Sequence, residues 1–182
     1  MEFSREQEIS DAFYMLGSRY FAVARFSAFA FLMPICGNLY HHAVEMLIKG
    51  YLAKSMSSSK IKSTFGHNLT KLWTAFKSTA NDANLSSFDF PISRLDRFED
   101  IRYPDSIIDD GMMVGISLGG DGPNLVDRFS DGTPIYKLNV EELDKLVAAI
   151  FDRASIPSSA YFGGLPDELK KWIPRELQGD LP

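Results

Sequence analysis

Few side chains in this sequence of 182 residues have the means for chemistry, and their spacing decides what kind. It holds three histidines and one cysteine. His41 and His42 are adjacent, so on a helix they point roughly 100° apart and cannot form the i, i+4 pair that grips a metal ion. With only His67 and Cys36 besides, no metal site is expected, and no other cofactor. His42 and Glu45 have the i, i+3 spacing of a hydrogen bond on one helix face. No G-x-S-x-G turn supports a serine nucleophile. Asp96, Glu99 and Asp100 share one helical turn, as on any solvated face, and no carboxylate pair stands out as general acid and base. The run Gly119-Gly120-Asp121-Gly122-Pro123 lacks the Lys-Ser/Thr and the following helix that a phosphate-cradling loop needs. No residue is assigned a catalytic role.

Positive charge is the stronger signal. The chain as a whole carries 19 basic and 24 acidic residues, a net charge of −5, which argues against broad nonspecific binding of nucleic acid. Between residues 49 and 77, however, stand Lys49, Lys54, Lys60, Lys62, Lys71 and Lys77 with no Asp or Glu. Such a stretch can hold phosphate groups through lysine point charges. The same residues also fit a solvated pair of helix ends balanced by the acids that follow.

The elements that must position these groups read as helices. Ser4 and Gln7 have capping-box spacing. Ile9, Phe13, Leu16, Tyr20, Val23 and Ala24 then give an apolar face that predicts a helix to about Phe31, ended or kinked by Pro34. A second helix is expected from about Ile35 to Met56, with residues 55–60 as a polar loop. A third begins at His67-Asn68-Leu69 on the face Leu69, Leu72, Trp73 and Phe76. Residues 81–87 read as connector. A fourth begins near Pro91 or Ser93 and stops at Pro104. Asn139, with Glu142 three residues on, caps a last main helix through Leu143, Leu146, Val147 and Ile150. Residues 166–175 read as one amphipathic helix through Leu169, Trp172 and Ile173, on an exposed tail.

Together these spans predict an all-α fold, an antiparallel up-and-down bundle of four to five helices. A Gly-rich loop or small hairpin is inserted before the last main helix. The expected organisation is one domain over residues 1–182: a core of 5–105 plus 139–155, an insertion over 106–138 and a tail over 156–182. The stretch Tyr20 to Gly37 approaches the length of a membrane span, but Arg25 lies within it and Pro34 breaks it. A buried bundle helix and a cytoplasmic protein without membrane contact are therefore expected.

The order of three motifs brings in a resemblance. The second helix reads Ala43-Val44-Glu45-Met46-Leu47-Ile48-Lys49-Gly50-Tyr51-Leu52, the third opens Gly66-His67-Asn68-Leu69, and the fourth ends Arg102-Tyr103-Pro104. Over residues 10–105 this resembles the HEPN family, whose members show an A-x-E-x-x-L-K-x-x-L-like helix, an H-x-L-like start and an R-Y-P-like end. The resemblance implies a helical bundle, a homodimer, and in many members a ribonuclease paired as a toxin with a nucleotidyltransferase antitoxin. Those ribonucleases place His four to six residues after Arg. The nearest such order here, Arg25 and His41, is far wider, and no His follows Arg102 closely. The resemblance therefore points to nonnucleolytic members, for which binding of a nucleotide or RNA, or protein scaffolding, is implied. Carried over, the ligand-binding positions are Lys49, His67, Lys71, Arg102 and Tyr103. Lys49 and Arg102 suit phosphate oxygens, Arg by bidentate pairing, and Tyr103 suits stacking on a base. Bundle-stabilising contacts, Glu45 with Arg102 or His67 capping the third helix, fit the same residues.

Overall fold

The computed structural model describes residues 4–120 and 129–179. Helix α1, Arg5–Phe29, starts where Ser4 accepts from the Gln7 amide, as the capping spacing predicts. A turn holding Pro34 leads into α2, Ile35–Leu52, which packs back along α1. Small residues set that approach: a Cβ at Gly17 would lie 2.8 Å from the Leu47 side chain, and one at Gly37 only 2.0 Å from the Phe98 ring. Helix α2 is the centre of the molecule, with Tyr40, Ala43, Val44, Leu47 and Ile48 wholly buried.

Of residues 55–60, expected as loop, the last three instead open a further helix. Ser57 caps α3, Ser58–Phe65, whose one buried residue is Ile61. Asn68, rather than His67, caps α4, Leu69–Ala80, by accepting from the Lys71 amide at 2.7 Å. The expected connector holds a 3-10 turn, Ala83–Phe88, and the expected fourth helix is broken into α5, Asp89–Asp96, and a second 3-10 turn, Arg97–Glu99. Pro104 does not end a helix but begins one, α6, Pro104–Asp110, because at the first helical position its missing N–H costs nothing.

The insertion holds two strands, β1, Met113–Ser117, and β2, Ile135–Asn139. They run parallel, so this is not a hairpin. Residues 121–123 of the glycine run lie outside the described residues. Gly120, which is described, already donates its amide to Glu141 at 2.9 Å. Asn139 caps α7, Val140–Ala154, accepting from the Glu142 amide. The tail forms three short helices rather than one: α8, Ser159–Phe162, α9, Asp167–Lys170, and α10, Arg175–Gln178. It is docked, not exposed. Ile173 and Leu177 are buried, and Trp172 packs on Phe26 and Phe29. Arg25, itself buried, donates Nε to the Trp172 carbonyl and pairs through Nη1 with Asp144 of α7.

The described residues are thus mostly helical, with four helices of twelve residues or more among them (α1, α2, α4 and α7) and a small parallel sheet. Among the described residues no helix is long and apolar enough to cross a membrane. The long apolar stretch is divided between α1, the turn and α2. Its outward side is partly exposed: Tyr20, Val23 and Phe26 of α1, and Met15 and Leu16 before them, keep part of their surface open, and Phe31 in the turn is 67% exposed. The apolar face read from the sequence is therefore only partly the buried one: Leu16, Tyr20 and Val23 are exposed, while Tyr14, Phe21 and Ala28 are wholly buried.

Candidate functional site

All three histidines converge on one carboxylate. Glu45, in the middle of α2, is completely buried. Lys49 lies one turn on and reaches back to Glu45 Oε1, while its Nζ also donates to the Gly66 carbonyl at 2.8 Å. His67, in the turn before α4, brings Nδ1 to 3.1 Å from Glu45 Oε1. His42 Nδ1 lies 3.4 Å from Oε2 and His41 Nε2 3.7 Å from it. Helical spacing explains the contributions of α2 itself, since residues three and four apart share a face. The contribution of His67 depends on how the α3–α4 turn is seated, which the Lys49 bond to Gly66 helps to fix.

His41 is buried between segments. Its Nδ1 lies 3.2 Å from the Leu95 carbonyl and its Nε2 3.1 Å from that of His67. Its Nε2 is also 3.9 Å from Glu99, which pairs with Arg102 at 3.0 Å. Polar groups therefore follow one another from Lys49 through Glu45 and His41 to Glu99 and Arg102. The Lys49–Glu45 and Glu99–Arg102 ends are hydrogen-bonded, while His41 lies within 4 Å of both carboxylates without a hydrogen bond to either. Burial alone would push the Glu45 carboxyl up. Hydrogen bonds from His42 and Lys49, with the charges of Lys49 and His67, outweigh it and hold the carboxyl down at about 2. Hydrogen bonding and charge from Glu99 raise Arg102 above the usual arginine range, and the field of Glu45 adds to this.

Of the five residues singled out in the sequence, the structure connects Lys49, His67, Arg102 and Tyr103. Lys49 is enclosed, both its described bonds directed inward. The His67 side chain is 57% exposed, and Arg102 lies at the surface with its guanidinium 6.0 Å from the exposed Tyr103 ring. Arg102 pairs with Glu99 and not with Glu45. Lys71 is exposed on the first turn of α4, and its side chain makes no ion pair among the described residues. Sequence reasoning missed His41 and Glu99 as links. Local spacing marks only half of each link, His41 to Glu45 and Glu99 to Arg102; the partners of His41 on other segments lie 26 to 58 residues away. The basic interval is partly discharged: Lys77 pairs with Asp89 at 2.6 Å and Lys54 donates to the Ala154 carbonyl at 2.7 Å. Lys60, Lys62 and Lys71 keep their charge exposed.

Among the described residues no group of three His, Cys, Asp or Glu is placed to hold a metal ion. A cleft of about 650 Å³ lies elsewhere, between α1 and the tail, beside Glu8, Asp11, Arg19 and Tyr161. Tyr161 donates to Asp11 at 3.0 Å there. No protein-family model, no curated protein and no solved structure matches the chain.

Proposed function

We propose that this chain is a noncatalytic, HEPN-like helical-bundle domain that binds a nucleotide or another phosphorylated ligand, as a homodimer. One observation carries the reading. Residues from the three motif segments are linked through one set of polar contacts, with a buried, ionised Glu45 inside it and His67, Arg102 and Tyr103 exposed at its ends. His67 and Arg102 offer donors to phosphate oxygens, Lys71 adds charge close in sequence to His67, and Tyr103 offers a ring face to a base. Lys49 acts from below, as the counter-charge that keeps Glu45 ionised and His67 oriented. Thermal-shift titration with ATP, GTP and short RNA tests the proposal. A ligand-dependent rise that is lost in Arg102→Ala and His67→Ala supports it, and no shift at millimolar ligand overturns it. RNA that is cleaved, rather than bound intact, would overturn the noncatalytic part.

A second reading is favoured by the exposed apolar residues on the outer side of α1. There the chain is a protein-interaction subunit, of the toxin–antitoxin or defence-system kind, whose partner is a nucleotidyltransferase-type protein. A patch of exposed large apolar residues on one helix face is characteristic of protein docking. Val23→Asp with Phe31→Ser would then abolish partner binding and leave the nucleotide response intact.

A further inference from the structure

The Met113 amide of β1 donates to the Pro134 carbonyl at 3.1 Å, and Met113 stands opposite Ile135 in the parallel register. In a parallel ladder alternate residues turn both backbone groups to the same neighbour. Met113, Gly115 and Ser117 therefore face β2, while Val114 and Ile116 turn N–H and C=O to the opposite edge. Among the described residues no strand pairs with that edge. Natural edge strands are usually blunted by lysine, proline or a bulge. Met113-Val114-Gly115-Ile116-Ser117 has no charge and no proline.

We propose that the edge of β1 is a self-recognition site, where β1 of a second copy of this chain adds antiparallel about a two-fold axis through Gly115. This supplies the interface for the homodimer in the functional reading above and rests on that part of it. The second copy is favoured because the strand complements itself. With the axis at Gly115, Val114 of each copy faces Ile116 of the other. These are the residues whose backbone groups point outward, so each pair exchanges two N–H···O=C bonds and the two pairs make four. Both side chains are β-branched, the type that pairs best across strands, and both already pack towards the core. At the axis glycine meets glycine, at a non-hydrogen-bonded position where the Cα atoms approach to about 4.5 Å. The result is a four-stranded sheet in the order β2-β1-β1-β2.

A five-residue ladder alone is small, since stable interfaces bury roughly 1,200–2,000 Å² in total. The strand is flanked by Met113, 44% exposed, and Leu118, 43% exposed, which extend the apolar strip at either end.

The test is the mass of the full chain in solution, by native mass spectrometry and sedimentation. The wild type is expected to be a dimer and Ile116→Pro a monomer with unchanged helical circular dichroism, because the proline removes only an outward N–H. Oxidation gives a second readout that holds even if the proline variant fails to fold. Met113→Cys with Ser117→Cys places the two thiols of different copies opposite each other and should crosslink, whereas Ser117→Cys alone should not. The native Cys36 is buried and gives little background. A wild-type dimer that survives Ile116→Pro, or shows no crosslink in the double variant, overturns this interface and leaves the homodimer reading intact. A monomeric wild type overturns both.

Discussion

The ammonium of Lys49 closes on the carboxylate of Glu45 one turn back along α2, and both groups are buried. Two charges taken out of water stabilise a fold only when every remaining donor and acceptor finds a partner. Here the ammonium also holds the Gly66 carbonyl, and the carboxylate also meets His42 and His67. The pair therefore fastens the turn before α4 to the central helix, and with it the position of His67.

Removing one member should leave the other charged and buried. Lys49→Met is expected to lower unfolding free energy by about 3–5 kcal/mol, measured by urea denaturation. Adding Glu45→Gln should cost much less than a second independent loss, because the two residues share one interaction. Additive effects would show that the pair is not coupled.

Acid should weaken the same cluster. The Glu45 carboxyl is held at about 2, below the ordinary glutamate range, so its contribution is complete above about pH 4.5 and is lost as pH falls towards 2. Glu45→Gln should be less stable than wild type at neutral pH, with the gap closing across that window. A constant gap from pH 5 to 2 would refute this.

Asp144 should behave in the opposite sense. Burial pushes its carboxyl up to about 6 despite the hydrogen bond and charge of Arg25. The folded protein then takes up a proton that the unfolded chain still refuses, so this residue's contribution to stability rises as pH falls from about 6 towards 4. Relative to Asp144→Asn, the wild type should gain stability over that interval. Parallel pH profiles of the two proteins would contradict the assignment.

At Gly37 the core has no room. An alanine Cβ would stand 2.0 Å from the Phe98 ring, so Gly37→Ala must displace that ring or separate α2 from the 3-10 turn Arg97–Glu99. A loss of about 1–3 kcal/mol or more is expected in chemical denaturation. A neutral effect would mean that Phe98 readily finds another rotamer.

The Asn139 cap offers a milder check. Asn139→Ala removes the acceptor for the Glu142 amide at 3.2 Å, an expected loss of about 1 kcal/mol. Asn139→Asp should restore most of it.

What was legible in the sequence follows from the range of each interaction. Helices α4 and α7 were readable because one amphipathic face specifies each, and α1, α4 and α7 all begin at their capping residues Ser4, Asn68 and Asn139. The face read for α1 is only partly the buried one, since Leu16, Tyr20 and Val23 are exposed while Tyr14, Phe21 and Ala28 are buried. Helix α3 was not readable, since Ile61 is its one buried residue and its polar surface looks like loop. Pro104 was misread because proline serves as both the end of one helix and the start of the next. Which role applies depends on the residues packed around it.

For the site, the sequence by itself determined the local spacings, His42 and Lys49 three and four residues from Glu45, because a helix repeats every 3.6 residues whatever surrounds it. Only the tertiary structure decided that His67 joins them across 22 residues and that Arg102 turns to Glu99 rather than Glu45. It also decided that two strands run parallel where a loop or small hairpin was expected. These choices are made by packing between segments distant in the chain, and no local pattern encodes which of several chemically adequate partners will be nearest.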